Sequence, residues 1–233
     1  MSSPSNNVAT NLKRVRSDIS NMAIKHARDP ATVKLLAVSK TKPIAMIKAA
    51  VQAEQRFFGE NYPSEGLEKI AALSDTRCEW HFIGSIQSRK AAGIAAHFDW
   101  VHSVDRVKIA TKLAQNRPSD LPPLQICLQV NIDNEASKSG VLPHQLETLA
   151  AQCADFPQLC IRGLMAIPAP KTEFEQQRQV FAKVRELQQT LARQYSSIDT
   201  LSMGMSQDLE AAIAEGATIV RIGTAIFGSR ERN

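Results

Sequence analysis

Apolar and polar positions divide the chain into two kinds of segment. Near the N-terminus Val8, Leu12, Val15, Ile19 and Met22 recur at spacings of four and three. That is one face of an amphipathic helix, running to about Ala27. Ser3-Pro4 reads as an N-cap followed by a first-turn proline, and Asp29-Pro30 ends the helix. From Lys34 onward the pattern changes. Short β-compatible runs begin near Lys34, Arg56, Glu79, Phe98, Leu124, Cys160, Asp199 and Thr218. Segments of helical period separate them, clearest in Phe174, Val180, Phe181, Val184, Leu187 and Leu191.

Strands alternating with helices predict a parallel sheet. Eight of them predict a closed α/β TIM (β/α)8 barrel. The expected organisation is one domain over residues 1–233, with a leading helix over 1–30 and the barrel over 34–228. The Pro118 to Pro123 and Pro168 to Lys171 stretches are short enough to be loops of βα units. Such barrels carry their ligand site at the C-terminal ends of the strands. The residues expected there are Ser39-Lys40, Glu60-Asn61, Gly84-Ser85, Ser103, Asn131, Met165, Ser202 to Ser206, and Arg221 to Thr224.

Composition narrows the function classes. No apolar run approaches the roughly 18 residues of a membrane span. The start of the chain has no basic region leading into an apolar one, so a cytoplasmic setting is expected. Cys78, Cys127, Cys153 and Cys160 form no C-x-x-C pair and have no histidine at zinc spacing, so no metal is expected. Cys127 and Cys160 read as small core residues. Lys and Arg number 28 against 23 Asp and Glu, a net charge of +5. The charges are scattered and aromatics are only 5%, too few for stacking on bases, so no nucleic-acid partner is expected. The mild positive excess suits a small anionic ligand.

Two features carry candidate chemistry. Lys40 closes the first strand run and points into the barrel mouth. Apolar walls lower the pKa of a lysine, and the unprotonated amine attacks a carbonyl to form a Schiff base. The plainer alternative is a solvated loop lysine like Lys42. At the end of the last run, Arg221-Ile222-Gly223-Thr224 offers backbone N–H groups to a phosphate, and Gly223 allows close approach. Ser206 fits the same anion as the cap of a helix starting at Gln207. A turn glycine and a plain N-cap are the alternatives. A ligand with both an aldehyde and a phosphate spans the two features. Pyridoxal 5′-phosphate is one such molecule, and a sugar phosphate on an aldolase-type lysine is the other.

Six motifs occur in order: Ala37-Val38-Ser39-Lys40-Thr41-Lys42-Pro43, Phe58-Gly59-Glu60-Asn61-Tyr62, Trp80-His81-Phe82-Ile83-Gly84, Gly163-Leu164-Met165, Leu201 to Ser206, and Val220 to Gly228. Together the chain resembles the pyridoxal phosphate homeostasis protein family, which shares the barrel of the alanine racemase N-terminal domain. The resemblance runs from about residue 34 to the C-terminus. It implies an internal aldimine on Lys40 and a phosphate held by Ser206, Gly223 and Thr224. It also implies Arg221 near the pyridine nitrogen, with Asn61, His81 and Met165 in the cofactor-binding set. One loop departs: Gly84-Ser85-Ile86-Gln87-Ser88-Arg89-Lys90 carries Arg89 where the family has a neutral polar residue. Lys138, in Glu135 to Gly140, matches a family motif, and a second cofactor site at Lys42 or Lys138 stays open.

The implied role is a cytoplasmic monomer that stores, protects or transfers the cofactor, with apo pyridoxal-phosphate enzymes as recipients. It is not expected to be an enzyme. A low-activity racemase is the alternative, and a Schiff-base aldolase is third. Racemisation needs a second acid–base group on the far face of the cofactor. The chain ends nine residues after Thr224, so no second domain is expected to supply one. Tyr62 and Tyr195 have no evident route there. His81 and His102, near strand ends, read as acid–base candidates or, more commonly, as hydrogen-bonded structural residues.

Overall fold

The structure is a computed structural model that describes residues 4–135 and 138–229. Eight parallel strands close on themselves in sequence order. They are β1 (Lys34–Val38), β2 (Phe57–Glu60), β3 (Glu79–Phe82), β4 (Trp100–Val104), β5 (Leu124–Val130), β6 (Leu159–Ala166), β7 (Thr200–Ser202) and β8 (Ile219–Ile222). Each begins within two residues of its expected position. The reason is physical: strands of a covered parallel sheet are apolar almost throughout, so each stands out as a run. β8 pairs with β1, with Leu36 opposite Arg221 and Ala37 opposite Ile222, and this pairing closes the barrel.

The helices are α1 (Pro4–Lys25), α2 (Ile44–Gln52), α3 (Pro63–Ala72), α4 (Ala91–His97), α5 (Val107–Asn116), α6 (Leu146–Ala154), α7 (Phe174–Ala192), α8 (Leu209–Ala214) and α9 (Thr224–Phe227). α1 buries Val8, Leu12, Val15 and Ile19, each contributing about 2 kcal/mol of apolar burial. Its polar side chains bind the closing units. Asn11 Nδ2 donates to the Ile226 carbonyl at 2.9 Å and Arg16 Nη1 to that of Ala53 at 2.9 Å. The leading helix thereby ties the last βα unit to the first.

Several local expectations are corrected. α1 ends at Lys25, with Ala27 in the left-handed region (φ 54°). Asp29 instead caps a short 3-10 turn over Pro30–Thr32, accepting from Ala31 N at 2.9 Å. Cys160 is only half-buried, whereas Cys153 and Cys127 are fully buried. Ser3, expected as an N-cap, the expected domain ends at 1 and 233, and Ala136 and Ser137 of the Lys138 motif lie outside the described residues.

Glycine is required in the wall at Gly163. Gly163 adopts φ +155°, and a Cβ there would stand 1.8 Å from the Thr200 carbonyl oxygen. Only glycine lets β6 run this close to β7. Among the described residues no helix is long and apolar enough to cross a membrane, and no cluster of three or more His, Cys, Asp or Glu could hold a metal ion.

Candidate functional site

Lys40 occupies a tight turn at the C-terminal end of β1. Lys42 N donates to the Ser39 carbonyl at 3.1 Å and closes the turn. Thr41 takes φ +62°, a conformation that costs a β-branched residue about 1–2 kcal/mol. Neighbouring side chains compensate. Thr41 N donates to Glu65 Oε1 at 2.6 Å. Lys69 Nζ, 3% exposed, donates to the Ser39 carbonyl at 2.7 Å, to Glu60 Oε1 at 2.7 Å and to Glu65 Oε1 at 2.6 Å. Ser39 Oγ donates to Glu60 Oε1 at 2.6 Å. Burial pushes the Glu60 carboxyl above the usual range, and the hydrogen bonds from Lys69 and Ser39 and the charge of Lys69 offset only part of that rise. The backbone on both sides of Lys40 is thus held by β2 and α3.

The β8–β1 pairing sets the neighbour of this turn. One step beyond the Ala37–Ile222 register, Val38 lies beside Gly223, where a Cβ would stand 3.1 Å from the Val38 carbonyl oxygen. Gly223 is the N-cap of α9 and Thr224 is its first residue. First-turn N–H groups have no carbonyl within their own helix, so this turn presents donors beside the Lys40 turn. Ser206 lies exposed in the turn after β7. It does not cap a helix at Gln207. α8 begins at Leu209 with Asp208 in the cap position, and Asp208 Oδ1 accepts from Met205 N at 2.6 Å. The Asp208 side chain makes no cap bond to the helix, and the helix starts two residues later than expected.

Below the mouth, Arg221 projects into the barrel and is 5% exposed. Its Nη1 donates to the Ser202 carbonyl at 2.6 Å and to Ser202 Oγ at 2.9 Å, and Nη2 to the Ala166 carbonyl at 3.0 Å. Burial lowers the guanidinium pKa to about 10, against the pull of Asp208 and Cys127. Among the described residues no carboxylate lies within ion-pair distance of it. Met165, 1% exposed, packs with Trp100 and Cys127 in a small apolar cluster inside the barrel. Asn61 Oδ1, at the end of β2, is buried without a hydrogen-bond partner. His81 sits deeper. Its ring lies against Trp100 and its two nitrogens face His102 and Glu79.

The structure therefore gathers Lys40, Gly223, Thr224 and Arg221 around the β8–β1 seam, with Ser206 and Asn61 after the flanking strands β7 and β2 and Met165 one strand further, on β6. His81 reaches this group only through other side chains. Lys138 forms an ion pair with Glu135 at 2.9 Å in the loop after β5. Two supporting residues, Glu65 and Lys69, went unrecognised in the sequence. Their i,i+4 spacing on α3 was the available signal. An amine, a buried guanidinium and turn N–H groups together suit a ligand that offers a carbonyl, a ring acceptor and an anionic group.

The profile of the family described as alanine racemase, N-terminal domain, matches residues 10–231. A Pseudomonas aeruginosa protein named pyridoxal phosphate homeostasis protein is 56% identical over 224 residues, covering 96% of each chain. An Escherichia coli K12 protein of the same name is 51% identical over 229 residues, covering 97% of this chain and 98% of its own. Among solved structures, PipY of Synechococcus elongatus with PLP bound superposes with a TM-score of 0.83 at 37% identity, over 95% of this chain and 100% of that one.

Proposed function

Since this chain belongs to the pyridoxal phosphate homeostasis protein family, we propose that it binds pyridoxal 5′-phosphate on Lys40 and serves homeostasis of that cofactor. The observation that carries this reading is the seam itself: the Lys40 turn beside the Gly223–Thr224 turn, with the Arg221 guanidinium below. The residues present fit the group. A buried guanidinium without a carboxylate partner suits a ring nitrogen acceptor. The buried, partnerless Asn61 Oδ1 suits a ligand donor. A Cβ at Gly223 would crowd the Val38 carbonyl oxygen at 3.1 Å, and glycine relieves that crowding where the backbone faces the Lys40 turn.

Bound pyridoxal phosphate supplies a reactive aldehyde and an electron-withdrawing ring. Lys40 would hold the group through its Nζ, at the aldehyde the cofactor supplies. Ser206, Gly223 and Thr224 would hold the phosphate, while Asn61 and Met165 would border the ring. Arg221 would donate to the pyridine nitrogen and, as a fixed cation, would disfavour protonation there. A ring kept unprotonated withdraws electrons less, which favours holding the cofactor over turning over an amino acid.

The reading extends to a cytoplasmic monomer that stores, protects or passes the cofactor to apo pyridoxal-phosphate enzymes. The test compares transfer from loaded protein to an apo-enzyme with release into buffer. Faster transfer than release supports delivery, and equal rates leave storage alone. Interconversion of D- and L-amino acids that Lys40→Ala abolishes would replace this reading with the racemase.

A further inference from the structure

A continuous column of polar side chains crosses the barrel interior from β8 to β3. Arg221 Nη1 lies 2.9 Å from Ser202 Oγ, Ser202 Oγ 2.7 Å from His102 Nδ1, His102 Nε2 2.8 Å from His81 Nδ1, and His81 Nε2 2.9 Å from Glu79 Oε1. Ser202, His102 and His81 are fully buried.

The two ends force one direction on the whole column. A guanidinium only donates. At the other end, burial pushes the Glu79 carboxyl up. The hydrogen bond from His81 and the nearby Lys34 ammonium outweigh it and hold the group below the usual carboxylate range. Glu79 is therefore an acceptor only. Ser202 accepts from Arg221 and donates to His102 Nδ1. His102 then donates from Nε2 to His81 Nδ1, and His81 from Nε2 to Glu79. Both rings are neutral and both carry their proton on Nε2. No other arrangement of neutral rings uses every contact. Burial disfavours charge on both rings. Lys34 on β1 acts on both in the same sense and Arg221 on His102, while Glu79 and Asp99 oppose at His81. A cation at one end and an anion at the other polarise every bond the same way.

We propose that Glu79, His81, His102 and Ser202 are positioning residues for Arg221, and that this one-way chain fixes how its guanidinium meets the cofactor ring. The proposal rests on the cofactor reading above. Glu79 is one-third exposed and lines a cavity of about 330 Å³ with Arg77, Asp99, Trp100 and Arg117. This lies at the N-terminal ends of the strands, so the ring is tuned from the mouth opposite the one it enters.

Two measurements test this. In protein without cofactor, nitrogen NMR of the histidine side chains reads the tautomers directly. Both buried rings are expected with protonated Nε2 and bare Nδ1, unchanged between pH 5.5 and 8. A proton on Nδ1 of either ring, or titration in that range, overturns the chain. In loaded protein, Glu79→Gln keeps the shape and removes the charge. The expected result is a shifted cofactor absorbance maximum and release about tenfold faster. Ser202→Ala cuts the chain at its other end and serves where Glu79→Gln does not fold. Its expected shift has the same sign. If native protein loads but both substitutions leave absorbance and release unchanged, this proposal alone fails. Native protein that never loads removes the cofactor reading and this one together.

Discussion

Lys69 Nζ donates to the Ser39 carbonyl at 2.7 Å, one residue behind Lys40. The same ammonium meets Glu60 and Glu65, and Glu65 accepts from the Thr41 N–H on the far side of Lys40. One buried helix side chain therefore anchors both flanks of the lysine turn. Lys69→Met leaves the Glu60 carboxyl, fully buried, with only Ser39 as partner. The expected loss is about 3 kcal/mol, the cost of stranding a buried charge. Glu60→Gln in the same background is expected to recover part of it. Urea unfolding of the two single variants and the double variant measures the coupling.

Thr41 stores strain next to Lys40. Thr41→Gly removes the clash of a β-branched side chain at φ +62° and is expected to raise stability by up to about 1 kcal/mol. The freed turn is expected to release cofactor faster, because strain at a site is retained where it positions a group. Thermal unfolding and dissociation kinetics on the same sample read the two effects. Greater stability with unchanged release would show that the strained turn does not position Lys40.

Acid acts on the barrel interior. Burial, before any neighbouring charge, holds His81 and His102 below the ordinary imidazole value of 6.5. Unfolded rings take up protons as the pH falls through about 6.5 while native rings do not, so the native state loses stability on the acid side. The slope reaches at most about 1.4 kcal/mol per pH unit for each ring. Glu79, held below the usual carboxylate range, adds loss of the same sign as the pH falls below its unperturbed 4.5. Urea unfolding at pH 7.5 and 5.5 is expected to show a drop of about 1–2 kcal/mol, reduced in His102→Asn. Equal stability at the two values would mean that the rings are not held neutral.

Gly163→Ala tests the wall between β6 and β7. Its Cβ would overlap the Thr200 carbonyl. Either the strands part or the protein fails to fold, and a loss of more than about 3 kcal/mol is expected. A thermal unfolding curve near that of the native protein would mean that the two strands are not packed this closely.

The strands were readable because barrel strands are apolar on both faces, and α1 because its outer face is polar. Gly223 and Thr224 were readable through a turn after the last run. The Lys69 clamp was hidden. Lys69 stands on a surface helix whose pattern predicts a solvated lysine, yet it faces Glu60 across the helix–sheet layer. The Arg221–Glu79 column was hidden for another reason. Period-two alternation tells which face a residue takes, but not that β3, β4, β7 and β8 bring their inward residues together across a closed barrel. Ser206 does not cap a helix because residues 206–208 form a turn, in which the Asp208 carboxylate accepts from Met205 N, and the helix starts only at Leu209.

Lys40 is the residue expected to hold pyridoxal phosphate. Borohydride reduction of loaded protein, digestion and peptide mass mapping address it directly. One phosphopyridoxyl group per chain is expected on the peptide containing Lys40, and none in Lys40→Ala. No label, or a label on Lys42 or Lys138 with Lys40 unmodified, would contradict it.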